Sequence, residues 1–223
     1  MPAGDGVAVQ VQLGGREVRQ RIEAPAAERL ELLLSLSRAR AATGRFEDGR
    51  AALIECLALT DDDTVQHLTL VGACAGFEQL LGHHEAANTR LTAALARVPD
   101  GAAAQAAALM LQLAGGDFYR MDYGAMQEWG ARALAAARSL NDPPLVAASL
   151  GVLADAAACA GAVPAAVTHS ADAAALVDAM PDDQLARRLD ALAHLATAEL
   201  YLHRYAVAGR HARRGLGIAR ATA

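Results

Sequence analysis

Apolar positions along the chain fall into paired helical runs, each pair joined by a tight turn. The pairs are Leu33–Leu57, Val71–Leu95, Met110–Leu134, Leu150–Ala174 and Leu192–Leu216. Their turns lie at Gly44-Arg45-Phe46, Gly82-His83-His84, Met121-Asp122-Tyr123, Gly161-Ala162-Val163 and His203-Arg204-Tyr205. The turn residues 44, 82, 121, 161 and 203 recur at a spacing of about forty, a period expected of stacked helical repeats. In each first helix an apolar residue stands four positions before a small one: Leu33 and Ser37, Val71 and Ala75, Met110 and Ala114, Leu150 and Ala154, Leu192 and Ala196. One turn of helix separates the members of each pair, so they share a face. A hairpin with such a stripe cannot bury it alone, and stacking neighbours buries a continuous spine.

The links agree with this division. Asp61-Asp62-Asp63, Asn141-Asp142-Pro143-Pro144 and Pro181-Asp182-Asp183 put capping side chains and prolines where helices should start. Pro99-Asp100-Gly101 breaks the chain between the second and third copies. The first 26 residues follow another period. Val7, Val9, Val11 and Leu13 alternate with Ala8, Gln10 and Gln12, as in a strand. Gly14-Gly15 suits a two-residue hairpin turn that pairs Val11 with Val18 and Val7 with Ile22. A lone hairpin is marginal in water, so it needs the first helices or another subunit as a surface; a disordered lead is the alternative. The expected domains are therefore residues 1–26 and 27–223.

Composition narrows the function. Of 223 residues, 54% are hydrophobic and only 4% aromatic, which favours close-packed helices over a β-sandwich or barrel. Twenty basic residues, all arginine, stand against twenty-five acidic ones, for a net charge of −5. Direct nucleic-acid binding is not expected, because phosphate binding needs a basic face. A phosphate-binding loop of the Gly-rich Lys-Ser/Thr type needs lysine, and there is none. No G-x-S-x-G, H-E-x-x-H or C-x-x-C occurs. An enzyme is not expected, nor a cofactor or a metal. His83-His84 suits a solvated turn, and Glu199 with His203 a surface pair at helical spacing. Arg210, Arg213, Arg214 and Arg220 suit the solvated face of a closing helix. Cys56, Cys74 and Cys159 suit buried free thiols in a reducing cytoplasm. Met1–Gly6 has neither the basic start nor the apolar run of a signal peptide, and the uncharged stretch Gly101–Gly116 suits a buried helix rather than a membrane span.

The chain resembles the tetratricopeptide repeat (TPR) family. The second copy matches best, with Gly82 at the turn, small Ala87 five residues on, then Leu91, Ala94, Leu95 and Pro99. The first copy matches through Gly44, Phe46, Gly49, Leu53, Cys56 and Leu57, the fifth through Tyr205, Ala208, Ala212, Gly215 and Leu216. Met121 and His203 depart from the turn glycine, Met126 from the small residue, and Ala174 from the usual leucine. The resemblance implies an all-α, right-handed solenoid of about five helix hairpins whose first helices line a concave groove. Carried over by position, that groove takes Leu34 and Arg38, then Gly72, Gly76 and Gln79, then Leu111, Gln112, Gly115, Phe118 and Tyr119. Gly151, Asp155 and Cys159 follow, then His194, Thr197 and Tyr201. The glycines would leave room, the aromatics offer flat apolar surface, and the polar groups orient a ligand. The alternative is that the aromatics pack between helices and the glycines only allow close contact. The resemblance implies a protein or peptide partner, or a small effector. The chaperone-tail class, which needs lysines and asparagines, does not suit this groove.

The phrase Ala27–Leu59, running into alanine-rich repeats, also resembles the helical-repeat segment of large LuxR-type, maltose-regulator-like transcription factors. That likeness implies an effector-sensing and homo-oligomerising segment. A freestanding TPR adaptor that grips a partner peptide is the alternative.

Overall fold

The computed structural model describes residues 7–13, 16–22, 25–62, 64–99 and 101–222. It contains strands β1 (Val7–Leu13) and β2 (Arg16–Ile22), which pair antiparallel with Val7 opposite Ile22 and Val11 opposite Val18, the register the valine period predicts. Gly14-Gly15 lies outside the described residues. Helices then follow in pairs: α1 (Ala26–Ala42) with α2 (Phe46–Leu57), and α3 (Val65–Leu80) with α4 (His84–Leu95). Next come α5 (Ala103–Tyr119) with α6 (Tyr123–Leu140), and α7 (Pro143–Cys159) with α8 (Val163–Ala179). A short helix α9 (Asp182–Leu185) and a single 3-10 turn lead into α10 (Leu189–Tyr201) and α11 (Tyr205–Thr222).

Two compact units divide the chain at Asp61/Asp62, so the strands and the first helix hairpin fall in one unit and the other four hairpins in the second. Within the second unit the first helices form one layer, in the order α3, α5, α7, α10, and the second helices pack against it.

All five hairpins turn by the same device. The second residue beyond each first helix has a left-handed backbone: Gly44 (φ 74°), Gly82 (78°), Met121 (58°), Gly161 (74°) and His203 (60°). The amide that follows reaches back five residues, from Arg45 to Arg40, His83 to Glu78, Asp122 to Asp117, Ala162 to Ala157 and Arg204 to Glu199, at 2.7–3.0 Å. A shorter bond, three residues back, closes inside it, as in Gly82 to Gln79 at 3.1 Å. This is the Schellman arrangement, which satisfies the last carbonyls of the helix. Met121 and His203 therefore keep the geometry without the glycine.

Helix starts are capped by side chains in several places. Asp142 accepts from the Leu145 amide ahead of Pro143, as the link predicts, and Asp122 accepts from Ala125. For α3 the cap is Thr64, which accepts from His67 at 3.0 Å, rather than an aspartate of the Asp61–Asp63 run. Asp62 instead pairs with Arg97 across the hairpin.

The core follows the repeat register. Ser37, Ala75, Ala114 and Ala154 are buried, as are Gly49, Ala87, Met126, Ala166 and Ala208 on the facing helices. Met126 is fully buried at the position where the other copies have glycine or alanine. Helix α7 is buried from Pro144 to Ala157 at every position but Val146, because α5, α6, α8 and α10 surround it. Side chains such as Leu68, Leu91 and Leu195 are almost wholly withdrawn from water, each contributing about 1.5–3 kcal/mol.

Candidate functional site

The first-helix layer of the second unit carries the groups expected to meet a ligand, and the structure separates them by role. Gln79 on α3 donates its side-chain amide to the Gln112 backbone carbonyl at 2.7 Å, joining α3 to α5. The Gln112 side chain lies against Gly72, and its oxygen is buried without a hydrogen-bond partner. Phe118 is half-buried and packs on the core. Tyr119 beside it is 62% exposed and stacks on His84 with ring centroids 5.0 Å apart. His84 thus has an aromatic partner, where the sequence suggests only a solvated turn.

The glycines divide between the two roles anticipated for them. A Cβ at Gly151 would stand 3.1 Å from the Ala191 carbonyl, so its absence lets α7 and α10 approach backbone to backbone. At Gly72 a Cβ would meet the side chains of Leu109 and Gln112 at 3.3–3.4 Å, so side chains of α5 rest on α3 there. Gly76 and Gly115 face open space, with nothing within 4 Å.

Asp155, Cys159, His194 and Tyr201 come together where α7 meets α10. The Asp155 carboxylate is buried; His194 Nδ1 lies 2.9 Å from Oδ2, and the Cys159 thiol donates to Oδ1 at 3.6 Å. A carboxylate on Nδ1 favours that nitrogen as the donor and leaves Nε2 as an acceptor. Burial, then the charge of Asp155 and the bond to it, push the Cys159 thiol up to about 12. Such a thiol holds its proton at neutral pH and is a poor nucleophile, so this Asp-His-Cys cluster presents hydrogen-bonding groups rather than covalent chemistry. The Tyr201 phenol is also pushed up, first by Cys159, then by lost hydration and Asp155. Thr197 binds its own helix, donating to the Ala193 carbonyl, and lines the cleft between α10 and α11 rather than the cluster. In the first unit, Leu34 is half-buried and Arg38 exposed on α1.

Glu199 corrects one sequence expectation. It does not pair with His203 on the surface; it is buried and meets His211 of α11 at 2.8 Å, while His203 contacts the Tyr205 hydroxyl. Arg214 also departs from a solvated role: it clasps the Val177 and Met180 carbonyls and Asp182. No group of three or more His, Cys, Asp or Glu among the described residues could hold a metal ion. No helix among them is long and apolar enough to cross a membrane.

No protein-family model matches the chain, and no curated protein matches it either. Solved structures do. A Podosopora anserina kinesin light chain with nearly identical TPR-like repeats superposes with a TM-score of 0.58 at 19% identity, covering 90% of this chain and 99% of that one. BtubC from P. vanneervenii gives 0.64 at 17%, covering 88% and 82%. A Rap protein complexed with competence and sporulation factor gives 0.61 at 16%, covering 88% and 65%. The fold is that of the TPR-like repeat proteins.

Seen in its TPR-like register, the layer reveals a residue the sequence reading missed. Leu80, Tyr119, Cys159 and Tyr201 each stand two positions before their turn residue. Leu80 is 70% exposed, and Tyr201 51%. A leucine beside a turn glycine looks like a helix end in sequence. Only its equivalence to two exposed tyrosines marks it as part of a row.

Proposed function

We propose that the repeat domain, residues 27–223, is a protein-binding module without chemistry of its own, and that its second unit takes a partner segment along the first-helix layer. One observation carries this: large apolar side chains stay exposed at the same register position in three of the second unit's four hairpins, in Leu80, Tyr119 and Tyr201, with Cys159 at that position in the other. Gly76 and Gly115 leave space beside the first two, and Gln112 and His194, the latter held by buried Asp155, supply polar anchors. Exposed aromatic anchors with few convergent polar groups are what a recognition surface needs. Leu34 and Arg38 stand ten and six positions before Gly44, as Gly72 and Gly76 do before Gly82. The Rap neighbour, solved with competence and sporulation factor, supports a partner-holding reading of such an array. Three free cysteines support a reducing, cytoplasmic setting.

The narrower reading, an effector-sensing and self-assembling segment of a LuxR-type regulator, rests on the resemblance of Ala27–Leu59 alone. The structural neighbours favour the adaptor.

Selection of a displayed peptide library on the full chain tests the module. Tyr119→Ala and Tyr201→Ala should each weaken selected peptides about tenfold or more while the helical circular-dichroism signal stays intact. Unchanged affinity in both removes the row from the site. Selection of a small metabolite instead, with ligand-dependent self-association, would move the assignment to the sensor.

A further inference from the structure

The far side of the last hairpin is an apolar cleft of about 690 Å³ between α10 and α11, floored by Leu192, Ala196, Ala208, Gly209, Ala212 and Leu216. Leu216 is 50% exposed there, and Ala212 is exposed as well. The same stripe earlier in the chain has an occupant. On α6 the equivalent residues Gly130, Ala133, Leu134 and Ala137 are buried, and α7 lies across them. A Cβ at Gly130 would stand 3.1 Å from Val152 and Leu153, so branched side chains of the covering helix sit directly over small ones. The last hairpin repeats the small-residue pattern, and nothing among the described residues covers its Ala212 and Leu216.

Charge defines what fits. Helix α11 carries four arginines and no acidic residue. Arg214 is committed to Asp182 and two carbonyls. Arg210, Arg213 and Arg220 are exposed and make no ion pair among the described residues. The Arg213 guanidinium lies at the lip of the cleft, 3.5 Å from where a Gly209 Cβ would stand. Arg220, seven residues on, shares its side of the helix, whereas Arg210 stands two residues from Ala212 and faces away from the floor. A cationic border thus runs along an apolar floor. A two-fold pairing of two such faces would bring two arginine rows together, and like charges across an interface are penalised.

We propose that this cleft docks an amphipathic helix of a partner protein, with branched apolar residues in one stripe and Asp or Glu beside it. It would lie on α11 as α7 lies on α6. This site is separate from the first-helix row.

The test uses the full chain and a fluorescent peptide of about the length of α11, with Leu and Val at helical a/d spacing and Glu on the flanks. A control peptide replaces each Glu with Lys. The Glu peptide should bind at least about tenfold more tightly than the Lys peptide and weaken with salt. Ala212→Glu, at an exposed site, should lose at least about tenfold, and Arg213→Glu should reverse the preference toward the Lys peptide. Tyr119→Ala should leave this binding unchanged, which separates it from failure of the first-helix site. Equal binding of the two peptides, no binding, or indifference to Ala212→Glu would overturn the proposal. So would self-association by sedimentation that Ala212→Glu abolishes, since it would give the cleft to a second copy.

Discussion

Glu199 and His211 meet at 2.8 Å, and both side chains are almost wholly out of water. The imidazole also lies 3.3 Å from Asp178 at its other nitrogen. Glu199 stands four residues before its turn residue and His211 eight after, so they meet across the hairpin. The bond to Glu199 holds the His211 pKa above its ordinary value; burial opposes it, and the charges of Glu199 and Asp178 reinforce it. A raised folded-state value means that this stabilisation is complete below the ordinary histidine value near 6.5 and fades as pH rises through the raised one. Thermal unfolding of the wild type should therefore lose stability on going alkaline, and His211→Gln should flatten that fall. His211→Ala leaves a buried carboxylate unpaired and should cost about 3–5 kcal/mol in urea unfolding.

The same two register positions recur in other copies, with different residues. In the second copy Glu78 is fully buried and takes two bonds from Arg90, at 2.8 and 3.1 Å. In the third copy Asp117 is equally buried, but Trp129 stands where the base should be. Arg120 approaches to 3.0 Å without hydrogen-bond geometry, and neither carboxylate oxygen is hydrogen-bonded. Burial raises the Asp117 pKa against the pull of Arg120. Its ionised form therefore costs stability at neutral pH, and the cost disappears as pH falls through the raised value. The fourth copy already has Ala157, buried, at this position. Asp117→Ala should stabilise by about 1 kcal/mol at pH 7, with a smaller gain in acid. Glu78→Ala should destabilise by about 1–3 kcal/mol. Equal signs for the two would refute the shared register.

Much of this architecture was legible in the sequence, because it rests on local rules. The turn positions followed from small residues and spacing, even where Met121 and His203 replace glycine. The strand register followed from alternating valines. What was not legible depends on contacts distant in the chain. Glu199 looked like a partner of His203 because the two share a helix face, yet the inward side of that helix belongs to His211 on the next. Asp155 and His194 lie in different hairpins, and only the packing of α7 on α10 brings them together. Position in the repeat puts Thr197 in the groove, yet it faces the last cleft instead.

The two non-glycine turns give a backbone test. Met121 has φ 58° and is 73% exposed, so its side chain contributes little packing to offset a strained backbone. A left-handed conformation costs an L-residue about 1–2 kcal/mol, part of which glycine returns as unfolded-state entropy. Met121→Gly should raise stability by about 0.5–1 kcal/mol, and Gly82→Ala should lower it by about 1 kcal/mol. His203→Gly should gain less, because it also removes the contact with the Tyr205 hydroxyl at 2.6 Å. Denaturant midpoints at constant m-value would read all three.

Helical glycines in the first-helix layer separate packing from binding. Gly151→Ala would push a methyl group to 3.1 Å from the Ala191 carbonyl, a backbone atom that cannot rotate away. Overpacking there should cost about 1–3 kcal/mol and loosen α7 from α10. Gly76 and Gly115 have nothing within 4 Å, and both lie inside helices. Alanine is the better helix former by about 1 kcal/mol, so Gly76→Ala and Gly115→Ala should each raise the melting temperature. If the open space beside Tyr119 receives a partner segment, the same two substitutions should weaken the selected peptides even as they stabilise the fold. Stability and affinity would then move in opposite directions, which a purely structural role for these glycines does not produce. Gains in both would show that the space is not part of the binding surface.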